Sequence, residues 1–526
     1  MSNDITHNRS GLKEFLASIA TISGDLSNIT APPFVLADNS TVEIPQYWAD
    51  HPYLWAAPAT EENPEKRALL VLKNFLCSLR GQQYGGRREE DGVKKPLNAF
   101  LGEIFMGGWN MEDLGETRLV SEQVGHHPPV TACYLWNNHV GIRAEGFTEQ
   151  EITFNGNVAI KQKGYALVHV DKYDEDYLLP LPSIKVKGLL SGVPHPELYG
   201  DYSLICSNGY ISHIHFEGKS LLGFGQKNSF HARFFHKDNP SDIIYILEGT
   251  WNSTFTVKDA RSGTEIETCD VRSIKQQPMD VPDLSEQDPW ESRKAWQHVI
   301  SALRRGDMRG VVKAKSEVEN GQRQMRKDEQ AKGETFTPVF FKRVDKDPIF
   351  EELVQCDPQG FTIDPKAGIW KVDKEAAENK SRPFHGDLTP SNQRTSNPQP
   401  HSQQHSRNNS TAESGQDPQC GGADMETAAD SISGAAASRG CPAPSSPSDS
   451  SPRNGARLTL PVHDASSTSC TPAQDSASPP ESPTSTSSSS SSSVATEATE
   501  TTTHSPVEPS DQQVEDFLRA KTGNVR

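Results

Sequence analysis

Ser121-Glu122-Gln123-Val124-Gly125-His126-His127-Pro128-Pro129 sets two imidazoles side by side and follows them with two prolines. A neutral imidazole offers one ring donor and one acceptor, and a protonated one offers two donors and a positive charge, so adjacent histidines suit a cluster of anionic oxygens. Proline fixes its own φ and pushes the preceding residue out of the helical region, so the pair is presented by a stiffened backbone.

Outward from this stretch, from about Leu119 to Cys269, the chain shows short runs of period two, such as Val140 to Ala144, Ile152 to Phe154 and Val158 to Ile160. Turn residues punctuate them at Asn137-Asn138, Asn155-Gly156 and Ser207-Asn208-Gly209. This pattern predicts a large antiparallel sheet curled toward a barrel. N-terminal to it, Leu12, Phe15, Leu16, Ile19, Ile22 and Leu26 recur at steps of three and four, which predicts an amphipathic helix over 11–30. Its Ser/Thr-rich opposite face and Gly24 admit two readings: a helix packed on a core, or a movable lid that also senses membranes. Helical signals return at Asp288-Pro289-Trp290-Glu291, read as an N-cap with proline at the first helical position. Gly306 then closes one helix, Asp307 caps the next and Gly333 ends it.

The formal net charge is −18. Residues 381–526 hold 9 basic and 16 acidic side chains, which leaves −11 on the rest and argues against a nucleic-acid partner. Beyond Ser381 the Ser/Thr/Pro/Gln/Asn-rich composition predicts a disordered tail, with one short helical stretch at Val514 to Lys521. The expected organisation is a lid (1–30), a folded domain (31–380) and the tail (381–526). The eight cysteines are scattered without zinc-type spacing, as in a reducing cytoplasm. No apolar run reaches the ~20 residues that span a bilayer, so membrane contact is expected to be peripheral.

Lys94-Lys95-Pro96-Leu97-Asn98 reads either as a solvated pair or as a lysine aimed at a phosphate from a stiff loop. Lys315, Glu319 and Arg323 stand at i, i+4 and i+8 on one helical face, either an exposed salt-bridged stripe or a row holding phosphate oxygens and a hydroxyl. His126 and His127 lack the spacing and third ligand of a zinc site, and no nucleophile motif accompanies them. Phosphate recognition is the reading that survives.

Glu122 to Pro129 resembles the signature of the oxysterol-binding protein family, usually written EQVSHHPP, with Gly125 in place of the serine and, earlier, Ala99 where a proline is common. The resemblance runs from about Gly11 to Thr335 and includes Gln46-Tyr47-Trp48-Ala49, Lys94 to Glu103, Lys227 to Phe230 and Glu291 to Trp296. It is closest in character to the short yeast-type members. It implies an α+β fold: a near-complete antiparallel β-barrel around a lipid tunnel, with an N-terminal lid and helices before and after. It also implies a non-enzymatic exchanger of sterol, of ergosterol or cholesterol type, for phosphatidylinositol 4-phosphate, without metal or cofactor. The headgroup site would comprise Lys95, Leu97, Asn98, His126, His127, Lys315, Glu319 and Arg323. The sterol hydroxyl would meet Trp48, Gln83, Tyr84 and Gln162. A cytoplasmic monomer, peripheral on Golgi and endoplasmic reticulum membranes, is expected. A phosphatidylserine exchanger and a lipid-regulated signalling adaptor are the alternatives.

Overall fold

A 25-residue helix near the C-terminal end of the described chain carries Lys315, Glu319 and Arg323, and a large antiparallel sheet carries His126. The computed structural model describes residues 8–392 apart from 23, 28, 190–192 and 219–225. The tail from 393 onward, with its proposed helical turn at Val514 to Lys521, lies outside the described residues.

The first elements are α1 (Arg9–Ile19), β1 (Leu36–Ser40), α2 (Pro52–Thr60), α3 (Pro64–Tyr84) and β2 (Lys95–Leu97), with β1 and β2 paired in parallel. The capping signals around α3 act as their chemistry dictates. The Asn63 side chain accepts from Lys66 N, Pro64 opens the helix and Gly85 closes it at φ 55°.

The large sheet follows, with strands β3 (Ile104–Met111), β4 (Gly115–His126), β5 (Pro129–Asn137), β6 (Ile142–Phe154), β7 (Val158–Val170), β8 (Glu175–Leu179), β9 (Ser183–Lys187), β10 (His195–Cys206), β11 (Tyr210–Glu217), β12 (Ser229–His236), β13 (Ile243–Thr250), β14 (Thr254–Asp259) and β15 (Glu265–Asp270). All thirteen are antiparallel neighbours in a meander, with β8 and β9 sharing the place between β7 and β10. The sheet does not close by pairing β3 with β15. Instead the β3 edge is covered by chain: Gly108 exchanges hydrogen bonds with Asp280 at 3.0 and 2.8 Å, and Ile104 N donates to Trp290 O at 3.0 Å. These contacts occupy part of the edge that would otherwise offer its ladder to another molecule. The sheet also begins earlier than the period-two reading placed it, at Ile104 rather than Leu119, because Gly107, Gly108 and Asn110 interrupt the alternation in β3.

The last elements are α4 (Ser292–Ala295), α5 (Gln297–Arg305), α6 (Met308–Lys332), β16 (Phe341–Val344), α7 (Pro348–Val354), β17 (Ile369–Val372) and α8 (Lys374–Asn379). Asp307 caps α6 by accepting from Gly310 N, and Gly306 and Gly333 close α5 and α6 with positive φ. Asp288 does not cap a helix. It accepts from Trp290 N at 2.9 Å in a turn that precedes α4, and its own N–H donates to Glu291 Oε1. The acid three residues on therefore closes a tight turn, and the helix waits until Ser292.

Two further expectations change. The N-terminal helix ends at Ile19, not near residue 30. Gly24 sits at φ 109°, a conformation glycine adopts without cost and a helix cannot use. Ile22 is consequently off the buried stripe and 45% exposed. Ordered structure also continues past residue 380. Trp290 Nε1 donates to Leu388 O at 2.6 Å, Gln322 Nε2 to Pro390 O at 3.0 Å, and Arg382 pairs with Glu291. Phe384 is buried against Phe340. Among the described residues no helix is long and apolar enough to cross a membrane.

Candidate functional site

The interior of the sheet contains a cavity of about 260 Å³ that runs from the N-terminal segment to the cationic end of the molecule. Leu12, Phe15, Leu16, Ile19 and Leu26 line its mouth. These residues roof the cavity because α1 turns its apolar stripe inward, burying Leu12, Leu16 and Ile19 to 3% exposure or less. The returning chain is tied to the sheet edge. Leu26 N donates to Ile152 O at 2.7 Å, and Asp25 Oδ1 accepts from Ile152 N at 2.8 Å and Ser27 N at 2.9 Å.

His126 and His127 form the tip of the β4–β5 hairpin, where His126 pairs with Pro129 in the last rung. The preceding residues hold the tip. Buried Glu122 accepts from the backbone N–H groups of Val339 and Phe340, both at 2.8 Å, so it anchors the chain that follows α6. Burial still lifts its carboxyl to about 7. Gln123 bridges Thr131 Oγ1 and Gly125 O at 2.7 and 2.9 Å, across a bulge at Gln123 and Gly125. A Cβ at Gly125 would lie 3.1 Å from Pro128 O and from Val130 Cγ2, so a serine there would force the tip to give by a few tenths of an ångström.

The two imidazoles are edge to face, 4.6 Å between centroids. His126 lines the cavity, whereas His127 is on the outer, exposed side. Burial, then the neighbouring His127 and Arg326, push the His126 ring down to about 4, partly offset by a hydrogen bond to the Ala99 backbone and by Glu319. Its Nδ1 is shielded from water and has no hydrogen-bond partner.

Lys95 and Asn98 line the same cavity, and Lys95 Nζ bonds Asn98 Oδ1. Burial and the positive charge of Lys315 hold the Lys95 ammonium down at about 8, with Glu319 opposing. Asn98 Nδ2 in turn donates to Ser27 O at 3.2 Å, a link from this loop to the N-terminal segment. Leu97 is fully buried within β2 and does not line the cavity.

On α6 the three residues of the i, i+4, i+8 row are not equally presented. Lys315 is buried and pairs with Glu319. Arg323 is 66% exposed, 3.9 Å from Glu319 and hydrogen-bonded to Asn320 at 2.6 Å. Successive steps of four drift by about 40° around a helix, so Arg323 stands about 80° from Lys315 and has rotated into solvent.

Gln83 and Tyr84 line the cavity from the end of α3, and Gln162 lines it from β7, donating to Pro182 O at 2.7 Å. Trp48 lines a smaller inner pocket of about 70 Å³ with Gln162. Sequence reasoning missed Thr148. Its hydroxyl faces this pocket, buried and without a partner. A lone threonine in a period-two strand carries no sequence signal that separates it from any other inward position. Chemically, the cavity wall is largely apolar and carries a few cations, amides and hydroxyls, among them Lys95, His126, Gln83, Tyr84 and Gln162. That is the shape and polarity of a lipid site. Among the described residues no group of His, Cys, Asp and Glu is arranged to hold a metal ion.

Comparison with known proteins agrees with this architecture. The family model described as oxysterol-binding protein matches residues 15–301. The chain is 52% identical over 378 residues to the probable transporter efuK of Hormonema carpetanum, covering 71% of this chain and about half (54%) of that relative's length. It is 38% identical to protein kes1 of Schizosaccharomyces pombe, covering 68% of this chain and 92% of kes1. Among solved structures, the Osh1 ORD domain in complex with ergosterol superposes with a TM-score of 0.53 at 21% identity, covering 68% of this chain and 86% of that one. The Saccharomyces cerevisiae Osh3 ORD in complex with PI(4)P gives 0.50 at 18% identity, covering 68% and 90%. These two likenesses show the shared fold.

Proposed function

The chain belongs to the oxysterol-binding protein family, and from that premise we propose that it is a non-enzymatic lipid transfer protein that exchanges a sterol for phosphatidylinositol 4-phosphate between membranes. The observation that carries the reading is the single cavity lined both by Lys95, Asn98 and His126 and by Gln83, Tyr84 and Gln162. One trunk with two polar ends accepts one lipid at a time. A sterol points its hydroxyl to the inner amides, and a phosphoinositide leaves its headgroup with the cations. Two ligands that exclude each other from one site exchange by competition, and a membrane rich in either drives release of the other. Ergosterol and PI(4)P complexes of proteins sharing the fold support both halves of the reading. The address proposed is the cytoplasmic face of Golgi and endoplasmic reticulum membranes, in keeping with unpaired thiols at Cys77, Cys133, Cys206, Cys269 and Cys356.

The test is transport of a fluorescent sterol from donor to acceptor liposomes, with and without phosphatidylinositol 4-phosphate in the acceptor population. Counter-transport should accelerate sterol delivery in the native protein, and His126→Ala with His127→Ala should abolish that acceleration. Unchanged phosphoinositide extraction by the double variant would remove the histidines from the site. Sterol transfer indifferent to the phosphoinositide would end the exchange reading, and phosphatidylserine in its place would identify the other lipid.

A further inference from the structure

The outward face of α6 is cationic on a chain whose net charge is −18. At about 100° per residue, Arg309 and Lys327 lie about five turns apart on one line of the helix, with Lys313 about 40° to one side and Arg323 about 40° to the other. All four are exposed. The acids nearest in angle, Glu317, Glu319 and Asp328, begin only about 80° from that line. Glu319 is paired with Lys315 and stands 3.9 Å from Arg323, and Asp328 accepts from Gln324 at 2.8 Å. What remains is a strip about 27 Å long that carries four positive charges and no negative one.

Acids outnumber bases 70 to 52 in the chain, so an ordinary solvated face would mix the signs with acids in excess. Nor is the strip a salt-bridged one. Among the described residues Arg309, Lys313 and Lys327 take part in no ion pair, whereas the inward cations Lys315 and Arg326 are both paired with acids. The layout points to the partner. Cations on a straight line, spaced by Ser316 and Asn320, offer no aromatic anchor of the kind that dominates protein–protein contacts. Their apolar company is Val312, 54% exposed and about 60° from the line. Such a strip matches a plane of negative charge, where each Lys or Arg gains at the surface and loses that gain within a Debye length. The acidic remainder of the chain is repelled by the same plane, so approach is productive only with α6 foremost.

We propose that the face of α6 running from Arg309 to Lys327 is a docking surface for an anionic bilayer. The inference deepens the exchange reading and rests on it for the reason a bilayer is visited. In that reading α6 also supplies Lys315 and Glu319 to the headgroup site, so docking face and cargo site share one rigid element.

The experiment sediments the full chain with phosphatidylcholine vesicles, with and without phosphatidylglycerol, an anion that no reading above places in the cavity. The native protein should bind the anionic vesicles at low salt and release them as salt rises. Arg309→Gln, Lys313→Gln and Lys327→Gln together should weaken that binding at least about thirtyfold, each cation being worth about fivefold, at an unchanged melting midpoint. Lys66→Gln, Lys161→Gln and Lys237→Gln together remove the same charge from exposed positions elsewhere and should cost less than about threefold. Native binding by the α6 variant, or an equal loss in the control, would overturn the proposal. So would a native protein that ignores the anionic vesicles, or one that captures RNA through these residues and leaves the vesicles alone.

Extraction of phosphatidylinositol 4-phosphate from phosphatidylcholine vesicles, followed to equilibrium, separates the two readings. Its end point is set by the cavity, so the α6 variant should match the native protein there. If the native protein extracts none while the α6 variant still loses the anionic vesicles, the docking face stands and the exchange reading alone fails. If extraction is normal and vesicle binding ignores the α6 change, the face alone fails.

Discussion

At the scale of single residues, His126 contributes through its charge state as much as through its position. With the native ring held at about 4 and the ordinary value near 6.5, the unfolded chain takes up a proton between those limits that the folded state refuses. The ring therefore costs stability as pH falls through that window. Glu122 acts in the opposite sense: its native value of about 7 lies above the ordinary 4.5, so its contribution is present at acid pH and lost as pH rises through 7. Urea midpoints measured at pH 7 and pH 5 should show His126→Gln gaining on the native protein as the pH drops. Parallel losses in the two proteins would show that the ring is not buried neutral. The histidines and Lys95 were legible in the sequence because they sit in one continuous, unusual string each. Thr148 was not, since its buried, unpartnered hydroxyl acquires its meaning only from the pocket that the completed fold encloses, and no spacing along the chain encodes that.

At the scale of elements, the N-terminal segment is a helix followed by a backbone latch. The apolar period correctly located α1 and its inward face. Its length was misread because period alone cannot see that Gly24 adopts positive φ, after which Asp25 does the work of holding the chain on β6. Asp25→Ala removes the acceptor for two backbone N–H groups, each worth about 1.5–3 kcal/mol when bonded to a charge. Sterol dissociation, followed by loss of fluorescence transfer from a bound fluorescent sterol, should accelerate at least about tenfold. A native rate would mean that the helix roofs the cavity without gating it. The same lesson holds for α6, where helical spacing put three residues on one face and the real angular drift removed the third.

For the whole molecule, composition put the end of the folded chain at residue 380, whereas the described structure continues to Asn392. Residues 381–392 read as tail because Ser, Pro, Asn and Thr dominate them, yet Phe384, Leu388 and Pro390 dock on Trp290, Phe340 and Gln322. Their order is bought by the partners they meet, not by their own periodicity. A chain ended at Asn392 should melt within about 2 °C of the full-length protein, whereas one ended at Lys380 should lose several degrees, as expected when about 1–3 kcal/mol of buried contacts go. Equal midpoints for the two truncations would return 381–392 to the tail. The antiparallel sheet was readable from alternation over many strands. What covers its β3 edge was not, because Asp280 and Trp290 lie in irregular chain whose pairing partners are set only by the completed fold.

One amide, that of Asn98, has its oxygen on Lys95 and its nitrogen on the carbonyl of Ser27. It thus links the Lys95 ammonium in the cavity to the N-terminal segment that roofs it. A sterol carries no anion to compete for the lysine and leaves the link set, while a phosphate that claims the lysine frees the amide oxygen and changes what the amide can offer the roof. Thermodynamic reciprocity then binds the two events: by whatever factor the roof's closure alters grip on an anionic headgroup, that headgroup alters closure by the same factor. On the exchange reading proposed above, an anionic and a neutral ligand would then leave through doors of unequal weight.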